Sequence, residues 1–180
     1  LVKSGHAYYC FCGKERLEEV RKIQEASHIA PMYDRHCRNL TPESVREHIF
    51  GYTILNDVSA RDLQTRHKQW YFGKSLDGFC PMGPWIVTAD EIPYPPELPI
   101  RSIVNGELRQ NSNTRLLIFD IEHVLCELSA GMTIQAGTII SMGTPAGVGM
   151  GFTPPKFLKA GDSVVCEIDG IGRLSNSVKS

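Results

Sequence analysis

The chain has 180 residues, 42% hydrophobic and 22% charged, which is the composition of a globular protein long enough to bury one real core. With 19 Lys and Arg against 20 Asp and Glu the formal charge is -1, so no strong basic field exists to neutralise a nucleic-acid backbone. No apolar run approaches the roughly 20 residues that cross a bilayer, and the six cysteines are scattered through a chain that needs no staples, which predicts reduced thiols in a cytoplasmic protein.

Residues 14 to 27 are rich in helix formers, with Leu17, Val20 and Ile23 three apart, and predict a surface helix with a narrow apolar stripe. Thr41 before Pro42 has the chemistry of an N-cap followed by proline at the first helical position, so a short helix is expected to about His48. Gly51 to Val58 mixes aromatic and branched residues and stops in Asn-Asp, predicting a buried strand that opens into a loop. One or two helical turns are expected over Ala60 to Arg66. From Pro81 onward the pattern is β-rich. It holds a short strand over Trp85 to Thr88, an irregular proline-rich connection over Ile92 to Pro99, and a hairpin in which 100–104 and 107–110 flank a type I′ turn at Asn105-Gly106. Apolar positions 121, 124, 125 and 128 predict a helix over Ile121 to Ala130, with Gly131 as its C′ stop. Gly137 to Met142 reads as a buried strand, and Asp162 to Val178 as a second hairpin about Asp169-Gly170. Cys126 and Cys166 fall in apolar stretches, where a thiol is usually buried and inert. Few short helices and many strands make an α+β, β-dominated single domain without internal repeats.

Chemistry-bearing residues gather in four places. At the end of the strand after Gly51 comes Asn56-Asp57-Val58-Ser59-Ala60-Arg61-Asp62-Leu63-Gln64, where carboxylates, an arginine and an amide crowd a strand-to-loop junction, a usual position for functional groups. The plainer alternative has Asp57 capping the next helical turn, with Arg61 and Asp62 in surface pairs. Lys74 lies between the aromatic run Trp70-Tyr71-Phe72 and Leu76, either as a snorkelling structural residue or as a cation placed for an anionic substrate. Ser141 to Gly149 is a glycine-rich turn without the Lys-Ser/Thr of a phosphate loop; its amides suit a carboxylate, and a plain tight loop is the alternative. Cys10, Cys12, His28, His36 and Cys37 are off the spacing of structural zinc sites, which leaves zinc as a minor reading.

The order of the first three features resembles the fumarylacetoacetate hydrolase family. Gly51 to Asp62 is similar to that family's strand followed by N-D-V-S-A-R-D, and Lys74 sits where the family carries its lysine. Asn105-Gly106-Glu107 is similar to its V-N-G-E hairpin, and Gly143-Thr144-Pro145 with Gly147-Val148-Gly149 to its G-T-P-x-G-V-G loop. The match runs from about Arg38 to Val178. The resemblance implies a mixed β-sandwich roll and a Mg2+ or Mn2+ ion. Asp57 would be a metal ligand, Arg61 and Gln64 would reach substrate, Lys74 would stabilise its negative charge, and Thr144 would lie on its carboxylate or oxo group. Hard divalent cations prefer oxygen ligands and leave positions for water and substrate, so a 2-oxo acid can chelate and place its enolate charge on the cation. The family hydrolyses carbon-carbon bonds, decarboxylates or isomerises small 2-oxo or 2-hydroxydienoic acids, and its members usually dimerise.

Two departures bear on these implications. The family takes further ligands from a Glu-x-Glu strand shortly before its R-N-L motif, here Arg38-Asn39-Leu40, yet residues 25–30 contain no Glu-x-Glu. Glu25 and His28 are the available replacements, in a shifted register or a helical i, i+3 arrangement, and Pro31 argues against the family strand. Residues 1–37 thus diverge from the pattern, and the amino-terminal lid that carries a catalytic His and Glu in relatives is expected to be absent. Lys3-Ser4 resembles an element just upstream, so the chain is expected to begin inside the domain. The rival to a metal-dependent enzyme is a metal-free, catalytically silent member that binds a small acid or serves as a partner subunit.

Overall fold

A computed structural model describes residues 14–28, 38–66 and 70–179. Cys10, Cys12, His36 and Cys37 of the zinc reading, and Lys3-Ser4, lie outside the described residues. The chain divides into two compact units, Leu1–Phe50 with Phe119–Ile140, and Gly51–Ile118 with Ser141–Ser180.

The described residues of the first unit carry helices and no strand. Its helices are α1 (Lys14–Ala26), α2 (Pro42–Val45, continued by a 3-10 turn over Arg46–His48) and α4 (Ile121–Gly131). Thr41 precedes Pro42 as expected, and its N–H is satisfied by the Ser44 hydroxyl at 3.0 Å. Asp120 caps α4, accepting from His123 N at 2.7 Å. Leu40, Val45 and Leu125 form the core, with Ile49, Ile121, Cys126, Ile134 and Ile140 packed against it. Ser129 is fully enclosed but not orphaned. Its hydroxyl accepts from Leu40 N at 2.9 Å and donates to Cys126 O at 3.1 Å, while its carbonyl takes Asn39 N at 3.0 Å. Gly131 departs from expectation: it is the last helical residue, and the N–H of Met132, in extended backbone, closes the final turn on Leu128 O at 3.0 Å. The strand expected over Gly137 to Met142 is also missing, since these residues join no ladder and Ile139 is 57% exposed.

The second unit carries the sheets. A ribbon pairs β1 (Gly51–Leu55) antiparallel with β2 (Met82–Thr88), and a four-stranded antiparallel sheet runs β4-β3-β5-β6. Its strands are β3 (Pro99–Val104), β4 (Glu107–Asn113), β5 (Ser163–Ile168) and β6 (Gly172–Ser177). Helix α3 spans Arg61–Arg66. Both residues of the Asn105-Gly106 turn have positive φ, 51° and 82°, the conformation a type I′ turn demands. The ribbon meets β5 and β6, and Ile54, Ile92, Ile171 and Leu174 form the core, with Tyr52, Val87, Leu98, Cys166 and Ile168 against them. This is the α+β, β-dominated architecture the strand pattern predicts, with two antiparallel sheets and few short helices.

Ile54 holds the core beneath the candidate site, being 2% exposed on the strand that leads into it. Ile54→Ala is expected to lower unfolding free energy by about 2–5 kcal/mol through lost burial and a residual cavity. Ile118→Ala, at a side chain 93% exposed, should stay within about 0.5 kcal/mol. Urea denaturation of both variants checks this contrast, and equal effects would contradict the core assignment.

Candidate active site

Strand β1 ends at Leu55, and the chain turns at once. Asn56 N is held by Pro81 O at 3.0 Å, and Val58 N returns to Asn56 O at 2.9 Å, a three-residue turn with Asp57 at its apex. Helix α3 follows, its first carbonyl being that of Ala60, which accepts from Gln64 N at 2.9 Å. Asp57 does not cap this helix. Its Oδ2 takes a hydrogen bond from Lys74 Nζ at 2.5 Å, with side-chain exposures of 45% for Asp57 and 26% for Lys74. A pair this exposed contributes on the order of 0–1 kcal/mol to stability. Its consequence is therefore placement of a carboxylate and an ammonium side by side at the mouth of α3.

Lys74 reaches Asp57 because two backbones touch. Ala60 N donates to Gly73 O at 2.9 Å, and a Cβ on Gly73 would stand 2.7 Å from Gln64 N and 2.8 Å from Gln64 Cα, closer than real Cβ atoms approach. Only glycine fits there. The turn closed by Lys74 N on Tyr71 O at 3.0 Å then swings the lysine inward. Trp70, Tyr71 and Phe72 face outward and are exposed, so they do not embed Lys74 in an aromatic pocket; their adjacency is one of sequence.

Arg61 and Gln64 share one turn of α3, and Arg61 Nη1 donates to Gln64 Oε1 at 2.9 Å. Gln64 is 5% exposed, so its carbonyl acts as a fixed rest for the guanidinium. Asp62 faces away and pairs with Arg66 at 3.8 Å, as the plainer reading has it. The fifth residue, Thr144, is exposed on the glycine-rich loop, and its Oγ1 accepts from Gln110 Nε2 at 2.9 Å. The structure thus joins Asp57 with Lys74, Arg61 with Gln64, and Thr144 with Gln110.

The contact between Gln110 and Thr144 was not legible in the sequence, where Gln110 reads as one more polar position of a hairpin strand. The same holds for the brace beside it, where Lys156 Nζ binds Glu107 Oε1, and Arg109 Nε lies 3.4 Å from Glu107 Oε2. The hydrogen bond from Lys156, aided by the nearby Arg109 charge, holds the Glu107 carboxyl below the usual carboxylate range. Arg109 and Lys156 both lie over the Phe152 ring, at 5.9 and 4.8 Å.

Glu25 and His28 stand exposed at the end of α1, in helix and turn rather than in a strand. Among the described residues no three His, Cys, Asp or Glu side chains come together as a metal cage. The carboxylates at α3 are Asp57, beside Lys74, and Asp62, which pairs with Arg66, so Asp57 is the donor on the Lys74 side. It suits Mg2+ or Mn2+, which keep waters and substrate oxygens in most positions, and does not suit a closed zinc centre.

The sequence matches the fumarylacetoacetate (FAA) hydrolase C-terminal family over residues 17–179, and the chain belongs to this family. It is 47% identical to the oxaloacetate tautomerase YisK of Bacillus subtilis over 165 residues, 92% of this chain and 55% of that protein. Among solved structures it is similar to the fumarylacetoacetate hydrolase of Exiguobacterium antarcticum, with a TM-score of 0.77 at 54% identity, covering 79% of this chain and 51% of that one. A maleylpyruvate hydrolase of Sphingobium, solved in complex with manganese(II) and pyruvate, is similar with a TM-score of 0.69 at 40% identity over 79% of this chain and 49% of its own. The chain spans about half the length of these relatives.

The close approach at Gly73 makes one prediction. Gly73→Ala must push the Lys74 turn away from α3, at a cost of about 1–3 kcal/mol in stability. It should also separate Lys74 from Asp57, which a crystal structure of the variant would register. A variant of unchanged stability and unchanged Lys74–Asp57 distance would contradict the account.

Proposed function

We propose that this chain is the catalytic portion of an enzyme that moves a proton next to the oxo group of a small 2-oxo acid, with oxaloacetate as the first candidate substrate. The single observation that carries the reading is the Asp57–Lys74 contact at the mouth of α3, one turn from an arginine already oriented by a buried amide. Similarity to an oxaloacetate tautomerase favours proton transfer over hydrolysis or decarboxylation, and all three share an enolate whose charge must be stabilised.

In this reading Asp57 holds a Mg2+ or Mn2+ ion, which when bound supplies Lewis-acid polarisation of the oxo group. Lys74 then serves two masters. With the site free its ammonium rests on Asp57; with substrate present it turns to the oxygen on which charge develops, where a prearranged cation lowers the barrier. Arg61, held by Gln64, binds the substrate carboxylate in the planar geometry that suits a guanidinium. Thr144 contributes a hydroxyl to the carboxylate or oxo oxygen.

Asp57→Ala is expected to abolish Mn2+-dependent ketonisation of oxaloacetate, followed as loss of enol absorbance, and Lys74→Met to lower kcat by about a hundredfold to a thousandfold. Unchanged turnover in Asp57→Ala would refute its assignment as ligand.

The silent-member reading has its own support, in that no three His, Cys, Asp or Glu side chains cluster among the described residues. Calorimetric titration with Mn2+ separates the two. Saturable, stoichiometric heat that disappears in Asp57→Ala supports the enzyme; no saturable heat from the unmodified chain supports the silent binder.

A further inference from the structure

The glycine-rich loop lies directly on β4. A Cβ on Gly147, whose φ is 106°, would overlap the carbonyl oxygen of Arg109 and stand 3.1 Å from Gln110 Cγ. That approach brings the Gln110 amide beneath Thr144 and Pro145. Gln110 Nε2 lies 2.8 Å from Pro145 O and 2.9 Å from Thr144 Oγ1. A peptide carbonyl only accepts, so the amide nitrogen, not its oxygen, must face Pro145. One of its two hydrogens is committed there, and the other points to Thr144.

The consequence falls on the threonine hydroxyl. Its oxygen is fixed as an acceptor toward Gln110, and its own hydrogen is left to turn outward. The backbone supports the same placement: Thr144 precedes a proline, which restricts it to extended conformations, and the proline brings no N–H to compete for the hydroxyl. We infer that Gln110 is a positioning residue that sets the polarity of the Thr144 hydroxyl, so that the threonine meets an anionic substrate oxygen as a donor. The inference rests on the proposed contact between Thr144 and a 2-oxo acid, and adds to it the residue that makes the contact directional.

Gln110→Glu tests it. A carboxylate there has no hydrogen for Pro145 O and captures the hydroxyl hydrogen of Thr144, reversing its direction. With pyruvate as probe and Mn2+ in the buffer, calorimetry on the whole chain should show binding weakened about tenfold or more in Gln110→Glu and in Thr144→Val. The double variant should bind no more weakly than Thr144→Val alone. If Gln110→Glu does not fold, judged by circular dichroism, Gln110→Met replaces it in the same cycle, since it keeps the side-chain length and removes the donors. Losses that add in the double variant, or tight binding by the position-110 variant, overturn the inference and leave the proposed function standing. Full-strength binding by Thr144→Val removes Thr144 from the proposed site and this inference with it.

Discussion

Gly73 has no side chain, and the candidate site depends on that. Its backbone rests on the first turn of α3, which brings the segment carrying Lys74 against the segment carrying Asp57, Arg61 and Gln64. Without that approach the ammonium and the carboxylate would belong to two unrelated loops. Gly147 plays the same part on β4, where absence of a Cβ lets a loop settle on the strand and puts Thr144 within reach of an amide. In both places a backbone contact that only glycine permits decides which polar side chains meet.

The energetic weight sits elsewhere. Exposed pairs such as Asp57–Lys74 add little to stability, while burying Ile54, Ile171 and Leu174 contributes about 1.5–3 kcal/mol for each side chain before entropy is counted. The core therefore supplies rigidity, and the polar residues are free to be arranged for chemistry. Ile54 links the two, since it anchors the end of β1 just before the turn that carries Asp57.

Much of the fold was legible because it is local. Asn105-Gly106 sets a type I′ hairpin through two positive φ angles, and the apolar spacing of 121, 124, 125 and 128 specifies α4, whose Asp120 cap only the structure revealed. The strand expected over 137–142 failed because branched residues alone do not make a strand; a ladder needs a partner, and Ile139 has solvent instead. Of the candidate site, the ordered motifs pointed to Asp57, Arg61, Gln64, Lys74 and Thr144, but their pairings were not readable. Lys74 meets Asp57 across 17 positions and Gln110 meets Thr144 across 34, distances at which no periodicity in the chain carries information. The exposure of the aromatic run at 70–72 was likewise not readable from its position beside Lys74.

The central claim is that the Asp57 carboxylate and the Lys74 ammonium serve one ligand-bound cation and its small acid. A crystal structure of the chain soaked with Mn2+ and pyruvate, with anomalous scattering collected for manganese, tests it most directly. The account predicts an anomalous peak within direct coordination distance of an Asp57 oxygen, with Lys74 moved from Asp57 onto the pyruvate. A peak elsewhere, or an Asp57 still held by Lys74 alone at full manganese occupancy, would contradict it.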